Sequence, residues 1–322
     1  MNLNKTTVLV TGGHGFLGGA LVRRLNDAGA ILELTSTKKG HDLRDRDICR
    51  KIINEIEPQI IVHLAAVVGG IGANQNNPGK FFYDNMAMGL NMIDEAHKCP
   101  SVEKFVQVGS ICAYPKFTPI PFMEENLWNG YPEETNAPYG IAKKALLVML
   151  QGYRQQYDFN GIYLLPVNMY GPNDNFDLDS SHVIPALIRK FMDAVKHNMD
   201  EVVCWGTGEA SREFLYRDDC ADAIVLAIEK YDAPEPINIG TGCEIKIKDL
   251  AMLIAELCDF KGKIVWDHSK PDGQPRRCLD VSRAAERLGF KAKWDLRRGL
   301  EYTINWYKQT LFVDQENDAK IH

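Results

Sequence analysis

The sequence predicts an α/β protein built on a doubly wound parallel sheet with a smaller α/β substrate domain, and three observations carry that expectation. An apolar strand near the N-terminus runs straight into glycines at positions 12, 15 and 18 and then into a helical pattern. Apolar strands and amphipathic helices alternate through the first half of the chain, the rhythm of a parallel sheet with right-handed crossovers. After Tyr170-Gly171-Pro172 the texture changes to the polar segment Asn173-Asp174-Asn175-Phe176-Asp177-Leu178-Asp179-Ser180-Ser181, beyond which the glycine pattern does not recur.

Thr6-Thr7-Val8-Leu9-Val10-Thr11 reads as the buried first strand, and Leu17, Leu21, Val22 and Leu25 recur at helical spacing after the glycines. Strand, tight glycine turn and helix in that order form a cradle for a dinucleotide. Glycines let the backbone approach a pyrophosphate, and the helix N-terminus offers it free N–H groups and partial positive charge. Further strands are expected at 31–35, 60–64, 104–108 and 162–165, with helices near 45–56, 80–98 and 138–157. Pro236-Ile237-Asn238-Ile239 reads as a late strand. The expected organisation is therefore a dinucleotide-binding Rossmann domain over residues 1–172, with a return at 214–242, and a substrate domain over 173–213 and 243–322.

Composition bounds the function classes. The chain has 322 residues, 45% hydrophobic and 25% charged, with a formal net charge of −6. That acidic balance, without a basic block, argues against nucleic acid as a partner. No run of about 18 apolar residues occurs, and Met1-Asn2-Leu3-Asn4-Lys5 leads directly into the first strand, so neither a membrane span nor a signal peptide is expected and the protein is expected in the cytoplasm. The eight cysteines are scattered without a C-x-x-C pair, which points to reduced thiols and against a metal site.

Tyr139-Gly140-Ile141-Ala142-Lys143 places a phenol and an ammonium at i and i+4, on one helical face. An ammonium close to a phenol favours the phenolate, so Tyr139 can exchange a proton with a carbonyl oxygen during hydride transfer. By itself the spacing also fits a solvated helix face. Ser110 directly follows the 104–109 strand stretch, at the carboxyl edge of the sheet where ligands bind in this architecture.

Taken together, the glycine turn, Asp42-Leu43, Ala65-Ala66, the set Ser110, Tyr139 and Lys143, and Asn168-Met169-Tyr170-Gly171-Pro172 resemble the extended short-chain dehydrogenase/reductases that work on nucleotide sugars. Within that family the resemblance is narrower, to the GDP-4-keto-6-deoxymannose 3,5-epimerase/4-reductases. It rests on Ala65-Ala66-Val67-Val68-Gly69-Gly70-Ile71-Gly72-Ala73-Asn74, Gly109-Ser110-Ile111-Cys112-Ala113-Tyr114-Pro115-Lys116, Ser181-His182-Val183-Ile184-Pro185-Ala186-Leu187 and Lys270-Pro271-Asp272-Gly273.

The resemblance implies two chemistries at one carbonyl, ending in a GDP-L-fucose product. A C4 ketone acidifies the hydrogens on C3 and C5, so each inversion needs one group to take a proton and another to return one from the opposite face. Cys112 is the implied base and His182 the implied acid, and a thiolate–imidazolium pairing would favour the thiolate. For the reduction, Tyr139 is the implied proton donor, Lys143 tunes it and holds ribose hydroxyls, and Ser110 donates a hydrogen bond to the ketone oxygen. Ile111 stands where a serine is common and is expected to reshape the pocket. Arg217 replaces a residue that is more often apolar.

The second strand ends in Thr35-Ser36-Thr37-Lys38-Lys39 without a carboxylate, which favours NADP(H) over NAD(H), because a 2′-phosphate calls for cations and small polar groups. Lys38 stands at the implied phosphate position, although Lys38 and Lys39 equally fit a solvated surface. The implied cofactor contacts are Gly12, Gly15, Phe16, Leu17, Gly18, Lys38, Asp42, Leu43, Ala65, Lys143, Asn168 and His182. The implied contacts to the GDP-sugar substrate are Lys190, Trp205, Arg212 and Asp272, with Trp205 equally readable as buried core. A dehydratase needs an acid and a base just after the serine, where Ile111 and Cys112 stand. A non-catalytic dinucleotide sensor has no use for Ser110, Cys112, Tyr139, Lys143 and His182 together. A C4-reductase acting on a related GDP-4-keto dideoxyhexose or heptose remains open. A homodimer is expected through a four-helix interface, from apolar side chains such as Phe81, Phe82, Met86, Leu90 and Ile93 on one helix and Ala145, Leu146 and Met149 on the Tyr139 helix.

Overall fold

A computed structural model describes residues 1–319, with side chains through Thr310. The central sheet is parallel, in the order β2 (Ile31–Leu34), β1 (Thr7–Thr11), β3 (Ile60–His63), β4 (Lys104–Val108), β5 (Gly161–Pro166), β9 (Ile237–Ile239). Five of these strands, β1, β3, β4, β5 and β9, consist almost wholly of buried residues, as expected where helices cover both faces of a sheet. Those helices are α1 (Phe16–Asp27), α2 (Arg46–Ile56), α3 (Ile71–Asn76), α4 (Pro78–Lys98), α5 (Ala137–Tyr157) and α7 (Arg217–Lys230). α4 packs along α5 and α1 along α7. The late strand β9 pairs with β5, Leu164 opposite Ile237.

A second core gathers around α6 (Val183–Lys196) and α8 (Ile247–Leu257), where Ile188, Phe191, Leu250 and Ile254 are fully buried. Two small sheets attach to it. β8 (Ser211–Tyr216) lies between β6 (Asn168–Tyr170) and β10 (Glu244–Lys246), and β7 (Glu201–Trp205) pairs in parallel with β11 (Lys263–Asp267). The helices α9 (Ser282–Leu288) and α10 (Leu296–Ala319) complete the chain.

One segment stitches the two cores together. Ser211 N–H donates to the Pro275 carbonyl at 3.0 Å, Arg277 N–H to the Ser211 carbonyl at 3.2 Å, and Phe122 N–H to the Cys278 carbonyl at 2.8 Å. The buried Glu213 carboxylate anchors the crossing. It accepts N–H groups from Gly242 at 2.8 Å, Leu279 at 2.7 Å and also Thr241. No helix among the described residues is long and apolar enough to cross a membrane.

Candidate active site

The glycine turn is built for close backbone approach. Gly12 has φ of +69°, and a Cβ on Gly18 would collide with the Gly12 carbonyl oxygen. Gly15 is the N-cap of α1 and brings no side-chain acceptor, and the first turn of the helix, where Phe16 and Leu17 lie, carries no acid. Its N–H groups are therefore available to an anion. Arg217 braces this turn from behind: it is buried, donates to the Pro172 carbonyl and lies 5.9 Å from the Phe16 ring centroid.

At the end of β2, Lys38 and Lys39 form an exposed 3₁₀ turn. Asp42 is held by Arg44, its carboxylate 2.7 Å from the guanidinium and pushed down to about 2 by that hydrogen bond. Leu43 beside it is buried. Ala65 follows β3, its N–H donating to Thr11 Oγ1 at 3.1 Å. Asn168 opens β6 and reaches the Glu213 carbonyl at 3.5 Å. This set fits a dinucleotide phosphate: free N–H groups at the turn, and at the β2 end lysines that pair with no carboxylate among the described residues.

Ser110 caps the short turn after β4, its hydroxyl accepting the Cys112 N–H at 3.1 Å. Gly140 allows α5 to lie against this turn, since a Cβ there would collide with the Cys112 carbonyl oxygen. Tyr139 is thereby brought to Ser110 and Cys112. Burial and the neighbouring Cys112 raise its pKa, and the Ser110 hydrogen bond opposes them. The expected phenolate is not favoured in this arrangement, because burial outweighs any help from the ammonium. Lys143 instead donates to the Val108 carbonyl at 3.1 Å, and burial lowers it to about 8.

Ile111 does not face the pocket. It is 1% exposed and packed in the core, so it has no surface with which to reshape a substrate site.

His182 is the N-cap of α6. It is exposed at one side yet surrounded by protein on the others, and that surrounding first, with Arg277 second, lowers its pKa. The imidazolium of the expected thiolate–imidazolium pair is thus disfavoured. The cation beside Cys112 is Arg277, whose Nη1 donates to Sγ at 3.6 Å. Sequence reasoning missed this residue, and with it Gln274, which accepts from Arg277 Nε at 2.7 Å and donates to the Pro115 and Lys116 carbonyls. The available signal was Gln274-Pro275-Arg276-Arg277 directly after the Lys270–Gly273 string.

Arg212, on β8, is 8% exposed and bonds the Ser211 and Asp272 carbonyls at 2.7 and 2.9 Å. Burial first, and Arg277 second, lower its pKa to about 9. Asp272 does not offer a free carboxylate, for it holds Thr207 N and Oγ1 at 2.8 and 2.7 Å. Trp205 is not core: it is 52% exposed, with Lys190 and Lys270 at 5.9 and 5.2 Å from its ring. Lys190 also donates to the Val203 carbonyl at 2.8 Å.

A glycine turn open to an anion, with a serine, a tyrosine, a lysine and a thiol gathered at the carboxyl edge of a parallel sheet, fits an oxidoreductase or epimerase class of site. The chain belongs to the NAD dependent epimerase/dehydratase family, which matches residues 8–240. Within the family it is similar to GDP-L-fucose synthases. It is 44% identical over 305 residues to probable GDP-L-fucose synthase 1 of Oryza sativa subsp. japonica, covering 94% of this chain and 92% of that one. Among solved structures it resembles a GDP-6-OMe-4-keto-L-xylo-heptose reductase from C. jejuni, with TM-score 0.89 and 30% identity over 96% of this chain and 99% of that one. It also resembles a GDP-L-fucose synthetase from Naegleria fowleri bound to NADP, with TM-score 0.87 and 27% identity over 97% of each chain.

Proposed function

We propose that the protein is an NADPH-dependent epimerase/reductase that converts GDP-4-keto-6-deoxymannose to GDP-L-fucose, by epimerisation at C3 and C5 and reduction at C4. The observation that carries this reading is a thiol, Cys112, two residues from Ser110 and beside Tyr139. A plain ketoreductase has no use for a base there.

Cys112 removes the proton from C3 or C5, and the electrons move onto the C4 oxygen as an enolate. Ser110 donates a hydrogen bond to that oxygen, where charge develops. His182 returns a proton from the opposite face, and solvent then resets both groups. A developing enolate favours the imidazolium that burial disfavours, so the acid becomes available when it is needed. NADPH, when bound, supplies the hydride to C4. Tyr139 gives its proton to the C4 oxygen, and its raised pKa keeps the donor protonated at working pH. The ammonium of Lys143 holds ribose hydroxyls and offsets charge beside the phenol.

The N–H groups of Phe16 and Leu17, with Gly12, Gly15 and Gly18, hold the pyrophosphate, Lys38 the 2′-phosphate and Asp42–Leu43 the adenine. Arg212 holds the substrate diphosphate, and Trp205 with Lys190 holds the base. Phe82 and Leu90 on α4 and Val148 on α5 are exposed and supply the apolar face of a homodimer, whereas Phe81, Ile93 and Leu146 are buried in the subunit. A cytosolic setting suits a reaction that needs NADPH and a reduced thiol.

A second reading, C4 reduction of a related GDP-4-keto heptose or dideoxyhexose, draws support from the likeness to the heptose reductase. Incubation with NADPH and a panel of GDP-4-keto sugars, with products identified by NMR, separates the two. GDP-L-fucose as the preferred product is the expected result, and a heptose product formed faster would favour the second reading.

A further inference from the structure

Arg277 carries a buried positive charge that lacks an acid. It is 6% exposed, and among the described residues no carboxylate lies within ion-pair distance of it. Its polar partners are the amide oxygen of Gln274 and the thiol of Cys112. A buried guanidinium is costly unless something of opposite charge faces it. Among its side-chain hydrogen-bond partners in the described residues, the thiol alone can take a negative charge.

The geometry holds this pairing in place from three sides. Gln274 fixes the guanidinium by Nε and is itself fastened to the Pro115 and Lys116 carbonyls, at 3.1 and 2.7 Å, just beyond the Cys112 turn. The backbone of Arg277 is bonded to Ser211 at the start of β8. From the other side, Gly140 seats α5 against the Cys112 carbonyl. The charged and titratable groups that face this thiol are Tyr139 from α5, Arg212 from β8 and Arg277. His182 at the head of α6 and Glu133 before α5 act at one remove, through Arg277 and Arg212 respectively.

We infer that Arg277 is a positioning residue for the thiol chemistry: its guanidinium fixes the Cys112 sulfur and is the counter-charge for the thiolate that takes the carbon-bound proton. The inference rests on the proposed role of Cys112 as the epimerising base. The Cys112 S–H proton leaves to solvent, the thiolate remains beside the guanidinium, and it then takes a carbon-bound proton to become a thiol again. No electron is gained or lost by the protein. His182 is lowered first by burial and second by the same Arg277, which favours its neutral form.

The test is the rate of Cys112 alkylation by iodoacetamide as a function of pH, read by mass spectrometry of the intact protein's peptides, in the parent, Arg277→Met and Arg277→Lys. Cys243, the exposed thiol, is the internal reference. Loss of the cation should move the pH midpoint of Cys112 alkylation upward by about one to three units, and slow it at pH 7 by about tenfold or more relative to Cys243. Arg277→Lys should restore most of the rate. Arg277→Gln, which keeps a bond to Gln274 within reach, serves if the Met variant does not fold. A neutral variant with the parental midpoint overturns the inference, as does a Lys variant no faster than Met. Deuterium exchange at C3 and C5, measured on the same variants without NADPH, tests the underlying reading separately. If alkylation slows while exchange persists at the parental rate, Arg277 governs the thiol but the thiol is not the base.

Discussion

Lys143 donates to the Val108 carbonyl across 3.1 Å, which ties the helix bearing Tyr139 to the last residue of the strand that leads to Ser110. The ammonium is therefore both a strut and a charge. Burial lowers it to about 8, so it is protonated below that value and neutral above it.

Reduction should accordingly weaken as pH rises through about 8. We expect kcat/KM for ketone reduction to fall about tenfold per unit on the alkaline side. Lys143→Arg should move that limb upward if the variant keeps activity. A profile flat to pH 10 would remove Lys143 from the reductive step.

Tyr139→Phe keeps the ring that α5 packs beside Ser110 but deletes the proton. NADPH affinity should stay within a few-fold of the parent while reduction drops by about 10²–10⁴-fold. Fluorescence titration and single-turnover rates check both halves, and a parental rate in this variant would remove Tyr139 as donor.

Cys112→Ala should abolish exchange of the C3 and C5 hydrogens with D₂O, followed by NMR without NADPH. NADPH oxidation should persist at a reduced rate, with the original configuration kept in the product. His182→Asn should still exchange, since the base remains, yet fail to invert. Were the unmodified protein to show no exchange at either carbon, a pure C4-reductase would be the better description.

His63 should set part of the acid sensitivity of the fold. It is buried at the end of β3, Nδ1 2.8 Å from Thr11 Oγ1 and Nε2 without a partner, and burial lowers it to about 3. The folded value lies below the unfolded one, so the stabilisation is complete above roughly pH 6.5 and is lost as pH falls toward about 3. Between pH 6.5 and 5 that loss is on the order of 2 kcal/mol. Urea unfolding at pH 7 and 5 should show a smaller pH dependence in His63→Asn; equal dependence in both proteins would exclude the residue.

Leu90 and Val148 are 41% and 51% exposed on α4 and α5. A charge placed there should split a dimer without unfolding the subunit. Sedimentation of Leu90→Arg at micromolar concentration is expected to give a monomer where the parent gives a dimer, and a monomeric parent would count against the interface.

What the sequence made legible was local. The strand expected over 104–108 is β4 residue for residue, because five buried positions in a row leave few other conformations. Ser110, Cys112 and Tyr139 meet because one short turn and one helix start bring them together. Arg277 escaped because its place depends on residues 274–280 crossing between the two cores, which no short-range pattern encodes. Ile111 misled for a related reason: only the backbone of the turn decides that it points into the core while its neighbours at 110 and 112 do not. Trp205 was more readable than we made it, since Val202 and Cys204 are buried and its own position in β7 alternates outward.

The contact between Gly140 and the Cys112 carbonyl has a consequence for timing. Groups assigned to two successive reactions hang on a single joint, and neither can be moved without moving the other. The protein thus has no separate gear for each half of the conversion. Order in time is then left to the sugar: over one unmoving floor, the inverted ring need only be reduced faster than the original one.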